Sequence, residues 1–251
     1  MALHASTVIA VALIVAVASF GFVFYEVYFA PSGTTIDSRN WAGYEDGQAV
    51  GSAKGVIALP SSSDWHGSGV ASLWVGMGGS TSNGVSQWPF WQAGVQVTCS
   101  SGACSAELFT EGGTQGSPCH GVCPAAWTQA FGVAPGDSIA ISVSGGSSGA
   151  IAVLTVDQAG FNTTYNPPPW TVLAGVTSFP SAEWIYESPT GSSGVEVMPT
   201  LSPPGAVFSS LGDASQLSEM GAIQMNGNPN GQSVSLSSYS GGSFSAYSYD
   251  S

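Results

Sequence analysis

Beyond its first thirty residues, the chain consists mainly of short runs in which apolar and small polar residues alternate. The clearest run is Ser138–Ser144, and residues 145–149, which are only glycine and serine, lead from it into a second run at 150–156. Because successive side chains of a β-strand point to opposite faces, this pattern predicts a β-hairpin. No run beyond residue 30 has the 3.6-residue apolar period of a helix, so we expect little helix there.

Similar runs recur along the whole chain and are separated by glycine, serine, proline and asparagine. The clearest lie at residues 70–77, 91–97, 138–144, 150–157, 183–187, 219–225 and 233–238. Many short strands with close turns predict an all-β fold with two antiparallel sheets packed as a sandwich. A length of 251 residues favours one such domain at 38–251, preceded by a linker at 31–37 and an apolar segment at 1–30.

The apolar N-terminal segment has three interpretations, and the sequence leaves all of them open. Residues 8–25 carry no charge, and apolar character resumes at 27–29, so residues 8–29 are long enough to cross a bilayer as an apolar helix. Ala16-Val17-Ala18 resembles a signal-peptide cleavage site, which is the second interpretation. The third is self-assembly of the segment between subunits of a surface filament. Each predicts an extracellular or cell-surface protein, and we favour the uncleaved anchor.

Charge is scarce and almost entirely negative, with Arg39 and Lys54 against fifteen acidic residues and a net charge of -13. Nucleic acid is excluded as a partner, because the basic side chains that neutralise phosphates are missing. In acid the carboxylates would be protonated and self-repulsion would be small, so we expect an acidic habitat. The alternative is that exported β-proteins rich in serine and glycine lack lysine for reasons unrelated to pH.

Four cysteines fall within one 25-residue stretch: Cys99, Cys104, Cys119 and Cys123. In an exported chain this number predicts two disulfides, with three pairings open. Their spacing around His120 also suits zinc, but thiolate and imidazole ligands must lose protons, which acid opposes. We therefore expect neither a metal nor another cofactor.

Two familiar hydrolase chemistries do not fit the residues. The G-x-S-x-G match at 145–149 lies between two predicted strands, whereas a nucleophile elbow leads from a strand into a helix. A pepsin-like site needs Asp-Thr-Gly or Asp-Ser-Gly loops, and the Asp-Ser pair at 37–38 continues with Arg39. What remains is a carboxylate and a carboxamide among aromatic residues, namely Glu187 after Tyr186 and Gln92 after Trp91.

Four segments occur together in a specific order: NWAGY at 40–44, LWVGM at 73–77, QAGV at 92–95 and AEWIYE at 182–187. In sequence and order they resemble the eqolisin, or glutamic peptidase, family, and the similarity extends over most of residues 38–249. The chain is more similar to the prokaryotic branch of that family than to the fungal one. The resemblance implies a concanavalin-like, or lectin-like, sandwich with the catalytic residues on its concave sheet.

The resemblance also implies roles for individual residues. Gln92 and Glu187 match the catalytic dyad, while other matched positions line or support the substrate cleft: Trp41, Trp74, Glu107 and Trp184. Fungal members carry an acidic residue where this chain has Gly78, and the stretch containing the cysteines is a local elaboration.

The implied function is that of an acid-active extracellular endopeptidase acting on proteins or peptides, with no cofactor. One alternative is a carbohydrate-binding or adhesive surface protein, because lectin-like sandwiches often present aromatic side chains and a fold alone does not determine function. Another is a filament subunit on the same sandwich.

Overall fold

The computed structural model describes residues 35–79, 81–82, 85–86, 89–114, 126–128, 132–158, 161–191, 193–212 and 220–250. The predicted N-terminal apolar helix, with its anchor, signal-peptide and filament interpretations, lies outside these residues. Within the described ranges, no helix is both long and apolar enough to cross a membrane.

The larger of two main sheets has eight strands. In spatial order they are β1 (Ile36–Ser38), β19 (Met220–Met225), β2 (Trp41–Asp46), β14 (Ala182–Glu187), β5 (Gly69–Met77), β8 (Phe90–Ser100), β9 (Ala103–Gly113) and β10 (Ala126–Thr128). All neighbours are antiparallel except β1 and β19, where the prediction of antiparallel pairing is wrong. The reason is that β19 lies between β1 and β2, which run in opposite directions, so one of its two pairings must be parallel.

The second sheet has seven antiparallel strands. In spatial order they are β13 (Phe161–Tyr165), β12 (Ile151–Gln158), β11 (Ser138–Ser144), β3 (Ser52–Ala58), β18 (Ala206–Ser209), β21 (Phe244–Asp250) and β20 (Gln232–Leu236). Three short pairs join β4 (Trp65–His66) to β17 (Thr200–Leu201), β6 (Thr81–Ser82) to β7 (Val85–Ser86), and β15 (Thr190–Gly191) to β16 (Gly194–Val195). The only helices among the described residues are 3-10 turns at Ser62–Asp64 and Thr171–Leu173. The prediction of an all-β, two-sheet sandwich with little helix is confirmed.

The alternation seen in the sequence becomes the core between the two sheets. On β11 the side chains of Ile139, Ile141 and Val143 are buried, whereas the intervening Ala140 and Ser142 are exposed. Fully burying one such branched side chain contributes about 1.5–3 kcal/mol to the free energy of folding. The two-residue period of the alternation therefore selects which face of β11 turns inward.

Two tryptophans of the larger sheet reach across this core and bond to the second sheet. The indole N–H of Trp184 donates to the Lys54 carbonyl at 2.8 Å, and that of Trp91 donates to the Ile151 carbonyl at 3.0 Å. Trp184 is 2% exposed. It therefore packs between the sheets rather than lining a substrate site, because it lies three positions before Glu187 on the same strand, so their side chains point to opposite faces.

One disulfide joins Cys99 and Cys104, which are directly opposite each other where β8 turns into β9. This selects one of the pairings left open by the sequence. Cys119 and Cys123 lie outside the described residues. The structure thus contains the first of the two predicted disulfides, and it closes the end of the longest hairpin in the larger sheet.

Candidate active site

The predicted catalytic residues lie on the face of the larger sheet that points away from the second sheet, here called the outer face. The apolar residues of this face form a small cluster of their own, separate from the core between the sheets, and include Trp74, Phe109 and Ile185. Glu187 follows Ile185 by two positions on β14 and therefore points to the same face. Gln92 is directly opposite Gly76 on one side and Glu111 on the other, which places all three in one cross-strand row.

Glu187 accepts hydrogen bonds on both carboxylate oxygens. The indole N–H of Trp74 donates to Oε2 at 2.7 Å, and the side-chain amide of Asn40 donates to Oε1 at 3.2 Å. Burial raises the pKa of Glu187 to about 7, and donors from Trp41, Trp74 and Asn40 oppose that rise. The N–H of Trp41 is near the carboxylate but does not meet hydrogen-bond geometry with any described acceptor.

Trp41 and Trp74 form an aromatic pair beside this carboxylate. Their ring centroids are 5.1 Å apart and the ring planes are inclined by 80°, which is an edge-to-face contact. Trp74 is fully buried and Trp41 is half-buried. The pair excludes water from one side of Glu187 and holds the Trp74 N–H in place.

Gln92 is held by a carboxyl group. Its Nε2 donates to Oε2 of Glu111 at 2.8 Å, and the side chain is only 5% exposed. In this bond the amide N–H donates to the carboxyl oxygen, so Nε2 faces Glu111 and the Gln92 carbonyl points away from it. The Gln92 carbonyl and the second hydrogen on Nε2 remain available for other partners.

Glu111 and Glu187 influence each other electrostatically. Burial raises the pKa of Glu111 to about 7, the charge of Glu187 raises it further, and the bond from Gln92 opposes the increase. Two carboxyls that share a low-dielectric site resist ionising together. Glu187 is therefore electrostatically coupled to the hydrogen-bonded pair of Glu111 and Gln92.

Two glycines make room for this group. A Cβ at Gly76 would lie 2.8 Å from Cζ3 of Trp74 and 3.0 Å from Cβ of Gln92, so the indole occupies the space a side chain would need. Gly78 has a φ of +69°, and a Cβ there would lie 2.1 Å from the Pro89 carbonyl oxygen. No acidic side chain fits at position 78, and the carboxyl beside Gln92 comes from Glu111 instead.

The structure separates the predicted site residues. Gln92, Glu187, Trp41 and Trp74 lie on the outer face, whereas Trp184 lies on the opposite face, as described above. Glu107 is on the outer face but is directly opposite Gln96, four residues along β9 from Glu111. It is therefore Glu111 that contacts Gln92.

Asn40 and Glu111 are the two residues that sequence reasoning missed. Asn40 begins the NWAGY segment, but nothing in that pattern shows that its amide reaches Glu187. Glu107 and Glu111 are four residues apart on one strand, so they share a face, and only the hairpin register distinguishes them.

Metal ligation is not indicated in the described part of the chain, where no group of three or more histidine, cysteine, aspartate or glutamate side chains has suitable geometry. The candidate ligands Cys119, His120 and Cys123 lie outside it. The site described above contains only carboxyl, amide and indole groups.

Comparisons of the sequence and of the structure with known proteins identify the same family. The sequence model of the peptidase A4 family matches residues 39–243. A search of curated proteins found no match.

Among solved structures, scytalido-glutamic peptidase with a transition state analog inhibitor superposes with a TM-score of 0.57 at 20% identity, covering 83% of this chain and 98% of that one. SCP-B, a member of the eqolisin family of peptidases in a complex with the tripeptide Ala-Ile-His, superposes with a TM-score of 0.51 at 18% identity, over the same shares of the two chains. At these identities the superpositions establish a shared fold. Together with the sequence match over residues 39–243, they show that the chain belongs to the peptidase A4, or eqolisin, family and is a glutamic endopeptidase.

Proposed function

We propose that the protein hydrolyses peptide bonds with a water molecule activated by Glu187, and that Gln92 stabilises the oxyanion. The observation that carries this proposal is that one face of an eqolisin fold presents both a carboxylate held by two N–H donors and a carboxamide oriented by a hydrogen bond. Ionised Glu187 takes a proton from water while the hydroxyl attacks the carbonyl carbon. As the C–N bond breaks, the same proton passes to the departing amine, so Glu187 returns to its starting state.

Gln92 is suited to the second role because its amide does not titrate. Its free N–H can donate to the carbonyl oxygen as negative charge develops there, and its Oε1 can accept from the attacking water. The indole of Trp41, which is half-buried beside Glu187, is the proposed contact for the substrate chain. Glu107, on the outer face but away from Gln92, is proposed only as a more distant substrate contact.

We place the activity maximum near a pH of about 7, which is less acidic than the composition of the chain suggests. The base must be ionised, and the pKa of Glu187 is raised to about 7, so the reactive fraction falls about tenfold for each pH unit below that value. The opposite limit comes from Glu111, whose pKa is also raised to about 7. A second charge beside Gln92 would disfavour the oxyanion.

We also propose that the protein is a prokaryotic-type member of the family and that it acts outside the cell or at its surface. The Cys99–Cys104 disulfide and the near absence of basic residues support this location. Cell fractionation combined with the mass of the mature N-terminus tests it. An intact N-terminus in the membrane fraction would indicate anchoring through residues 8–29, and recovery from the cytosol would contradict the proposal.

The enzymatic proposal is tested by digesting a denatured protein at pH values of about 3, 5 and 7 with wild-type protein, Glu187→Gln and Gln92→Ala. We expect both variants to lose about 10²-fold or more in kcat while retaining the wild-type circular dichroism spectrum, because each removes one half of the chemistry. Trp184→Phe is a matched control, because Trp184 lies on the opposite face of the same strand as Glu187. If folded wild-type protein is inactive at all three pH values, the peptidase proposal fails and a binding role on this fold becomes the better explanation.

A further inference from the structure

Glu111 is bonded to the catalytic amide, yet it belongs to none of the sequence segments that resemble the family. It shares a cross-strand row with Gln92, and the bond between them is 2.8 Å. Between the strands of Glu187 and Gln92, β5 contributes Gly76 to this row and therefore no side chain. Glu187 lies on the same face in a different row, with Ser72 and Gln96, and its charge acts on Glu111 across the face.

No cation lies among the described groups that face Glu111. The chain has two basic side chains, and both are exposed elsewhere: Lys54 on β3 of the second sheet, and Arg39 before β2. The neighbouring strand β10 consists of Ala126, Trp127 and Thr128, which do not titrate. A negative charge on Glu111 would therefore have no opposite charge beside it.

The remaining titratable groups on the outer face are all acidic. Glu107 lies on Glu111's own strand, Glu187 and Glu183 lie on β14, and Glu45 lies on β2, directly opposite Glu183. Glu183 and Glu45 occupy the same cross-strand row as Glu111 and are buried. Each of these groups, when ionised, disfavours charge on Glu111.

Resting on the function proposed above, we propose that Glu111, which holds Gln92 by a hydrogen bond, and Glu187 on the same face form an electrostatically coupled two-carboxyl unit, active when Glu187 is ionised and Glu111 retains a single proton. Glu111 is a positioning residue in this scheme: it orients the Gln92 amide and keeps its proton throughout turnover. The proton that moves during hydrolysis passes from water to Glu187 and then to the leaving amine.

The hydrogen bonds determine which carboxyl ionises first. Glu187 accepts from both Trp74 and Asn40, whereas Glu111 accepts from Gln92 alone among the described residues. N–H donors favour the ionised form of a carboxyl, so the first proton leaves Glu187. The resulting charge then raises the pKa of Glu111, which is the direction found. A protonated Glu111 still has an oxygen that can accept the Gln92 N–H.

The decisive variant is Glu111→Gln, which keeps the shape and an accepting oxygen for Gln92 but cannot ionise. We expect wild-type kcat/KM to be bell-shaped against pH and the variant to keep only the acid-side limb. At about one pH unit above the wild-type alkaline midpoint, the variant should exceed wild-type kcat/KM about tenfold. An unchanged bell, or a folded variant that is inactive at every pH, would overturn the proposal.

A second variant tests positioning. Glu111→Leu removes the acceptor, so we expect kcat to fall about tenfold with little change in KM, because the amide loses one hydrogen bond that fixes its orientation. Glu111→Gln should restore kcat near the wild-type optimum. Equal kcat in wild-type protein and the leucine variant would refute the positioning role.

A measurement on the wild-type protein keeps the proposal testable if a variant does not fold. With ¹³C-labelled glutamate carboxyls, the Glu111 resonance should titrate at higher pH than that of Glu187; the reverse order would overturn the proposal. A failure of the proposed peptidase function would give a different result. In that case the wild-type protein would not cleave substrate, or Glu187→Gln would be as active as wild type. Cleavage that depends on Glu187 but is unaffected by the charge of Glu111 would contradict only the two-carboxyl unit.

Discussion

Asn40 shows how a single neutral side chain adjusts the proposed base. Its amide donates to Glu187 Oε1 at 3.2 Å from the turn just before β2. A donor to the ionised form lowers a carboxyl pKa, and here the bond works against burial, which is the larger effect. The balance between these two influences sets the acid limit of activity.

We predict that Asn40→Ala moves the acid-side limb of kcat/KM to higher pH by about 0.5–1 unit, because Glu187 loses a donor that favours its ionised form. The measurement is a pH–rate profile under kcat/KM conditions. Asn226→Ala is a matched control, since Asn226 is an exposed carboxamide on a turn that bonds to Ser38 through its backbone. A limb that stays in place or moves to lower pH would contradict the assigned role of Asn40.

Among the elements, strand β5 matters most to the site because it lies between β14 and β8, which carry the proposed dyad. It contributes the Trp74 indole to Glu187 and a bare backbone at Gly76 next to Gln92. The indole covers the glycine, so the two residues act together. The segment LWVGM therefore combines the pattern of a buried strand with a glycine that leaves room for the Trp74 indole.

We predict that Gly76→Ala lowers kcat by roughly 10- to 100-fold, because the new methyl group displaces the Trp74 ring and with it the N–H bonded to Glu187. It should also cost about 1–3 kcal/mol in the free energy of unfolding, as overpacked sites do. Gly47→Ala is the control, since a Cβ there would meet nothing within 4 Å. If the two alanine variants are equally active, the Trp74 ring does not depend on Gly76.

At the scale of the whole molecule, the buried carboxyls and the acidic composition affect stability in the same direction. Glu111 and Glu187 have folded-state pKa values of about 7 against a usual 4.5. Folding therefore favours their protonated forms. The stability they provide is complete below a pH of about 4.5 and is lost as the pH rises through about 7.

We predict that the free energy of unfolding decreases between pH values of about 4.5 and 7, as measured by denaturant titration. Self-repulsion from a net charge of -13 adds to the decrease, so a variant is needed to separate the two effects. Glu111→Gln should make the slope shallower while leaving the repulsion nearly unchanged. A stability that is constant or increases over this interval would contradict the raised pKa values.

Some features of this protein are determined by local sequence. The alternation in Ser138–Ser144 predicts its strand within the observed bounds, because burial of one face is a property of the strand itself. The four family-like segments locate Gln92 and Glu187 in the same way. The parallel pairing of β1 with β19 could not be predicted, because it depends on a strand about 180 residues away in the chain.

Only the tertiary structure decided where the side chains of the candidate site lie relative to one another. Trp184 and Glu187 belong to one short segment, yet the sandwich turns the first inward and the second outward. Glu107 and Glu111 share a strand face, and the register with β8 brings only Glu111 to Gln92. The sequence by itself determined seven of the strands, the family and the proposed dyad, because these follow from local pattern. Which carboxyl and which amide support the dyad was decided by strand order and register, because those contacts join residues far apart in the chain.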